Sequence, residues 1–319
     1  MRLFFSQALI LNKNPHVWAG TSYSVDAMTR WHMNAENVER GLKYGCRIQV
    51  GTSGYSYAEW VDTGFYPPGT ASGRMLARYA QSFSITELNY TWYQMPRAQA
   101  VEGMLKQVPA DFNFAVKLIR YLTHEIDQNV WRGHVKAYRE GITPLVQAGQ
   151  LAAVLVQFPP SFHRVPPNRY YLAKLLDELE ALPVAVEFRH VSWATDSVYA
   201  ELERRGVTLV IVDIPAIRGL FPTLDIATSR DLFYIRFHGR NAKGWRSGNM
   251  QKQFDYDYSE EELREWTDER IERLAGQTRR GLLFFNNHVR AQAPANALQM
   301  KKQLMEQGLV TERRAGINH

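Results

Sequence analysis

The sequence predicts an α/β chain of the TIM-like (β/α)8 barrel class. Eight short apolar runs alternate with seven stretches of helical length, the rhythm of a mainly parallel sheet. Several of those runs end in polar and charged residues, and a (β/α)8 barrel keeps its active site at the carboxyl ends of its strands. The chain is 319 residues long, enough for a barrel of about 250 residues with some left over. A doubly wound open sheet is the alternative; the strand count and the polar tips favour closure.

Taken in order, residues 1–46 show no sustained period of 2 or 3.6 and are expected to form a poorly ordered N-terminal extension. The barrel is expected over residues 47–308, with a C-terminal tail at 309–319. Strands are expected at Arg47–Thr52, Ile85–Asn89, Asn113–Lys117 and Ala152–Gln157. Four more follow at Val184–Arg189, Thr208–Asp213, Leu232–His238 and Gly281–Asn286. Between them, helices are expected at Gly73–Ser82, Ala98–Lys106, Val135–Ala148, Arg169–Ala181, Ser197–Arg205, Ser259–Thr278 and Ala293–Gln307. Ser259 and Glu262 have the spacing of a capping box. Only the connection Ile214–Arg230, with Pro215, Gly219 and Pro222, has no helical pattern.

Alternation along a strand sends neighbours to opposite faces. In Pro183–His190, Val184, Val186 and Phe188 share one face; Ala185, Glu187 and Arg189 share the other. In Leu232–Gly239, Phe233, Ile235 and Phe237 oppose Tyr234, Arg236 and His238. Applied strand by strand, this places Ser53, Glu87, Asn89, Lys117, Gln157, Glu187 and Arg189 inside the top of the barrel. Asp213, Arg236, His238, Asn286 and His288 join them. Three acids (Glu87, Glu187, Asp213) face three bases (Lys117, Arg189, Arg236), a set too costly to bury unless its members pair. A structural plug of ion pairs is one reading. A polar pocket is the preferred one, because barrel interiors are usually filled by layers of Val, Ile and Leu.

Composition narrows the classes. Hydrophobic residues make up 45% and charged residues 22%, which suits a globular core. The single cysteine, Cys46, excludes an intramolecular disulfide and a Cys-rich metal site, and the expected compartment is the cytoplasm. The apolar start from Leu3 to Leu11 is broken by Ser6 and Gln7, so no signal peptide is expected. No apolar run approaches the ~20 residues of a membrane span, so no membrane partner is expected. The net charge of +6 is small and spread out, which permits polyanion binding without arguing for it.

The residues also carry a resemblance. Gly51–Tyr57 with Trp60, Tyr66–Pro68, Glu87–Tyr93, Phe114–Lys117, Gln157–Pro160, Glu187–His190 with Ser192 and Trp193, Arg236–Arg240, and Phe285–His288 occur in that order. Together they resemble the YecE-like family, domain-of-unknown-function family seventy-two, from about Ile48 to about Leu304. The resemblance implies a TIM-barrel-like fold and brings no particular activity with it.

Acid–base chemistry fits these residue types best, since His238 and His288 titrate near neutrality when unperturbed. The expected function is a hydrolase or lyase acting on a phosphorylated or otherwise anionic small ligand. Glu187, Asp213, His238 and His288 would move protons, and Lys117, Arg189 and Arg236 would hold the anion. Ser53, Glu87, Asn89, Gln157, Asn286 and Asn287 would complete the binding surface. No metal and no cofactor is expected, as neither His-Glu-x-x-His nor Cys-x-x-Cys spacing occurs. Gly51–Tyr55 departs from the nucleophile-elbow pattern at its last position, which makes Ser53 a turn residue. The segment Gly239–Tyr258 interleaves Arg240, Lys243, Trp245, Arg246 and Lys252 with Phe254, Tyr256 and Tyr258. It is expected to be a lid, and Ile119–His134 to help cover the mouth. The alternatives are a nucleic-acid-binding barrel, with or without nuclease activity, and a non-catalytic ligand sensor.

Overall fold

A computed structural model describes residues 43–310. The eight strands are β1 Arg47–Thr52, β2 Ile85–Leu88, β3 Asn113–Lys117, β4 Leu151–Gln157, β5 Val184–Glu187, β6 Thr208–Asp213, β7 Phe233–Phe237 and β8 Arg280–Phe285. They form one sheet in the order β1-β8-β7-β6-β5-β4-β3-β2, and every ladder is parallel. The main outer helices that precede β7 are α1 Ser72–Ser82, α2 Ala98–Leu105, α3 Trp131–Gln147, α4 Pro166–Glu178 and α5 Asp196–Arg204. After β7 come the short α6 Ala242–Arg246 and α7 Met250–Gln253, then α8 Glu260–Glu265 and α9 Gln292–Glu306. This is the nearly closed TIM-like barrel that the alternation of runs predicts, and the segment after β6 indeed carries no helix.

Each strand buries both faces, one against helices and one inside the cylinder. On β3, Phe114 and Val116 are fully buried under the helical layer, and Tyr138 of α3 donates a hydrogen bond to the Val116 carbonyl at 3.0 Å. The inner face is unusual. Register aligns Glu87 with Ala115 and Ala115 with Ala153, while Leu155 pairs with Ala185. Alanines there leave space that Tyr234 and Arg236 of β7 fill from across the barrel, both almost fully buried.

Closure between β1 and β2 is made differently from the other seven seams. One backbone bridge, Ser53 to Glu87, sits at the top, with Gly54 N–H donating to the Glu87 carbonyl at 2.8 Å. Below it, the Tyr79 hydroxyl of α1 inserts between the strands. It accepts from Thr52 N–H at 2.8 Å and donates to the Ile85 carbonyl at 3.1 Å. Gly51 allows the approach, because a Cβ there would lie 2.3 Å from the Ile85 oxygen.

Two details differ from expectation. The single helix expected over Ser259–Thr278 starts at its capping box, with Glu262 N–H on Ser259 Oγ at 3.2 Å, but passes through a π-helical stretch, Trp266–Ile271, before a last turn at Glu272–Ala275. The packed region also reaches past the expected limits: Cys46 and Leu309 are buried, and Lys43 N–H donates to the Gly308 carbonyl at 3.1 Å. Most of the expected extension and tail lie outside the described residues. No helix among the described residues is long and apolar enough to cross a membrane.

Candidate active site at the strand C-termini

A cavity of ≈ 1050 Å³ opens at the carboxyl ends of the strands, where parallel barrels build their sites. Its floor is a chain of hydrogen bonds between strands. Tyr234 donates to Glu87 Oε2 at 2.6 Å, and Arg236 Nη2 donates to Glu87 Oε1 at 2.6 Å and to Ser53 Oγ at 3.3 Å. Arg236 Nη1 donates to Glu187 Oε2 at 2.7 Å, and Arg189 Nε takes Glu187 Oε1. Arg189 Nη2 reaches His238 Nε2 at 3.1 Å. Two carboxylates thus meet two guanidiniums, and the floor is neutral. Burial alone would raise the Glu187 carboxyl, but the guanidiniums of Arg189 and Arg236 hold it well below the usual range. Both of its oxygens are occupied and it is fully buried, so it anchors the two arginines and is closed to substrate.

His238 is likewise a positioning residue. Arginine can only donate, so Nε2 accepts from Arg189 and the ring proton sits on Nδ1, 3.0 Å from the Asn286 amide. The Asn286 amide nitrogen stands opposite Nδ1, and this tautomer requires the amide to turn its oxygen there. Burial and the neighbouring guanidinium of Arg189 lower His238 to about 3, so it stays neutral. The acid–base roles expected of Glu187 and His238 do not fit these surroundings, because no free lone pair or proton faces the cavity.

Asp213 and Asn287 need correction as well. Register pairs Val212 with Arg236, which puts Val212 inside and Asp213 on the helical side. There Asp213 accepts from Arg240 Nη2 at 2.8 Å and from Trp266 Nε1 at 2.6 Å. Asn287 also faces away from the cavity, donating to the Tyr256 carbonyl at 2.8 Å and to Asn296 Oδ1 at 2.7 Å. Ser53 lies beneath the floor, almost fully buried. Glu87, Asn89, Lys117, Gln157, Arg189, Arg236, Asn286 and His288 do border the cavity.

Lys117 ends β3 and lines the cavity, its ammonium 5.4 Å from the centre of the Trp92 ring. The four oxygens of Glu87 and Glu187 are taken by Arg236, Arg189 and Tyr234, and no ion pair holds Lys117 among the described residues. Burial first, then Arg236, lowers its amine to about 7, against the opposing pull of the two glutamates. The sequence marks His124 only as part of the segment covering the mouth, and in the fold it lines the cavity together with Lys117. Its Nδ1 accepts from Trp92 Nε1 at 3.3 Å and contacts Thr123 Oγ1 at 2.8 Å, so the neutral ring carries its proton on Nε2. Burial, with Lys117 and Arg189, lowers it to about 4. His288 stands between Tyr57 and Phe254, with ring centroids 4.9 and 5.8 Å away.

Aromatic walls complete the site. Tyr55, Tyr57, Tyr90 and Trp92 line it from the β1 and β2 loops. The segment with α6 and α7 crosses the opposite rim, bringing Trp245 to 5.6 Å from the Arg189 guanidinium and Phe254 to 6.1 Å from His238. Among the described residues, no three His, Cys, Asp or Glu side chains are grouped to hold a metal ion.

Comparison with known proteins agrees with this architecture. The chain is 31% identical over 267 residues to UPF0759 protein YunF of Bacillus subtilis, covering 79% of this chain and 93% of that one. The solved structure of a DUF72 family protein from Thermotoga maritima superposes with a TM-score of 0.73 at 36% identity, covering 81% of this chain and 99% of the other. A DUF72 family protein from Enterococcus faecalis gives a TM-score of 0.73 at 27% identity, over 81% and 95% of the two chains. Residues 49–316 match the family described as protein of unknown function DUF72, and the chain belongs to that family.

Proposed function

We propose that this barrel is an enzyme, a lyase or hydrolase, that takes a small phosphorylated or carboxylated molecule into the strand-end cavity. One observation carries the reading: above a charge-balanced floor, Lys117 is a surplus cation facing open space. Both terminal nitrogens of Arg236 are held by Glu87 and Glu187, so it shapes the floor and does not clamp the anion. That task falls to Lys117 and Arg189, with Arg218 and Arg246 exposed on the rim to draw anions inward. The aromatic walls suit the organic part of the ligand, proton transfer falls to Lys117 and His288, and the neutral His124 ring offers its Nε2–H as a donor.

Binding tests the reading. Calorimetry with ribose 5-phosphate, pyruvate and inorganic phosphate should detect binding of at least one to the wild type. Lys117→Met should weaken it by about tenfold or more, the loss of one charge-assisted contact. No binding in the millimolar range, or equal binding by the variant, would sink the anionic-site reading. The alternative of a nucleic-acid partner is distinguished by its salt response: several phosphate contacts make oligonucleotide affinity fall steeply with ionic strength, and a single small anion does not.

A further inference from the structure

We propose that Lys117 is a nucleophile that forms an imine with an aldehyde or ketone substrate bearing an anionic group, such as a 2-oxo acid. This rests on the reading of the cavity as the working site and names its substrate class.

Three features of the surroundings lead there. Lysine side chains at protein surfaces find carboxylates or water, whereas Lys117 lies 5.4 Å from the centre of the Trp92 ring and lines the same cavity as two guanidiniums, Arg189 and Arg236. Those positive neighbours disfavour the ammonium and favour the free amine, the form that attacks a carbonyl. The nearby carboxylates cannot take a proton from it by direct contact, since Arg189, Arg236 and Tyr234 occupy their oxygens. And the amine opens onto a space of ≈ 1050 Å³, large enough for a small metabolite, so the nitrogen has room for a reacting partner. A lysine serving only as counter-ion would gain from a carboxylate contact that the floor withholds. The amine's value of about 7 leaves a large neutral fraction at neutral pH.

The step balances without any further reagent. The Nζ lone pair of the free amine forms a C–N bond to the carbonyl carbon while the C=O π pair moves to oxygen. Counting from the ammonium, two of its three protons leave with that oxygen as water, and the third stays on the iminium nitrogen. The result is a positively charged C=N that draws electrons from the adjacent carbon, which is what a lyase needs. Arg189, whose Nε and Nη2 are engaged by Glu187 and His238, borders the cavity beside this position and is placed to receive the substrate's anionic group. Asn89 Oδ1, buried in the cavity wall without a donor, offers an acceptor to the hydroxyl of the addition intermediate.

The test uses the whole chain at neutral pH. Acetaldehyde with sodium cyanoborohydride is small enough to enter without specific recognition, and peptide mapping by mass spectrometry reads which lysines are alkylated. Lys117 should be modified about tenfold or more faster than any surface lysine, whose unperturbed value near 10.4 keeps it protonated. Pyruvate and acetone with borohydride then compare an anionic and a neutral ketone, with the pyruvate adduct expected in excess on the same peptide. Lys117→Arg should lose both adducts, since a guanidinium does not form an imine under these conditions. Modification of Lys117 no faster than surface lysines overturns the nucleophile even if phosphate or pyruvate binds, which would leave the anionic site standing. Rapid modification with equal pyruvate and acetone adducts upholds the nucleophile and overturns the anionic substrate.

Discussion

Glu187 is the residue on which the floor depends, because its two oxygens hold two different arginines. Replacing it by Gln removes one negative charge and leaves Arg189 and Arg236 with a single shared acid, Glu87, that only Arg236 touches. Breaking a buried pair from one side costs about 3–5 kcal/mol, since the stranded charge has no solvent to return to. Glu187→Gln should therefore lose stability on that scale in urea unfolding; a loss under ~1 kcal/mol would mean that the floor reorganises or admits water. Its place in the site was legible from strand parity alone, as were Glu87, Arg189, Arg236 and His238. Their roles were not, because parity says which way a side chain points and not which partners saturate it. Asp213 shows the limit of parity itself. Between Thr208 and Asp213 its strand is apolar, so no second polar residue near the tip marks the phase, and the pairing of Val212 with Arg236 turns Asp213 to the helical side. His124 and Tyr57 lie in loops and Trp92 in the one-turn helix Tyr90–Tyr93, all too short for a period to be read.

At the scale of elements, α1 has a task beyond packing: its Tyr79 hydroxyl supplies the hydrogen bonds that a backbone ladder supplies elsewhere in the barrel. Tyr79→Phe keeps the ring and removes the bridge, leaving Thr52 N–H and the Ile85 carbonyl short of a partner in a buried setting. Each such orphan costs about 1–3 kcal/mol. The variant should unfold at lower urea concentration, and the amide hydrogen of Thr52 should exchange faster than in the wild type; unchanged exchange would show that β1 and β2 close without the hydroxyl. Strand positions were well marked in the sequence, because buried parallel strands are short apolar runs bounded by breakers. The interruption of the long helix by the π-helical stretch at Trp266–Ile271 was not, since Ser259–Thr278 keeps a helical pattern throughout.

Across the whole molecule, three buried groups that titrate between acid and mildly basic pH share one sign of response. Glu187, His238 and Lys117 all have folded values below their ordinary ones, so in each case the unfolded chain binds a proton more readily. Stability then rises with pH wherever one of them titrates in only one state. Lowering pH from about 6.5 towards 3 should erode stability through His238, whose unfolded ring protonates first. Glu187 adds a further loss below about 4.5, and the Lys117 contribution grows as pH rises above about 7. Urea unfolding free energies measured across this range should climb from acid to neutral, and an optimum near pH 5 would contradict the neutral assignment of His238. The seam between β1 and β2 has a mechanical meaning too. Seven ladders and one laced edge make a tube slit along its length, and a slit tube twists and spreads far more easily than a closed one. The wall next to the slit carries Tyr55, Tyr57, Asn89 and Tyr90, so widening on that side parts only the Tyr79 contacts and the single Ser53–Glu87 bridge and leaves the seven ladders intact.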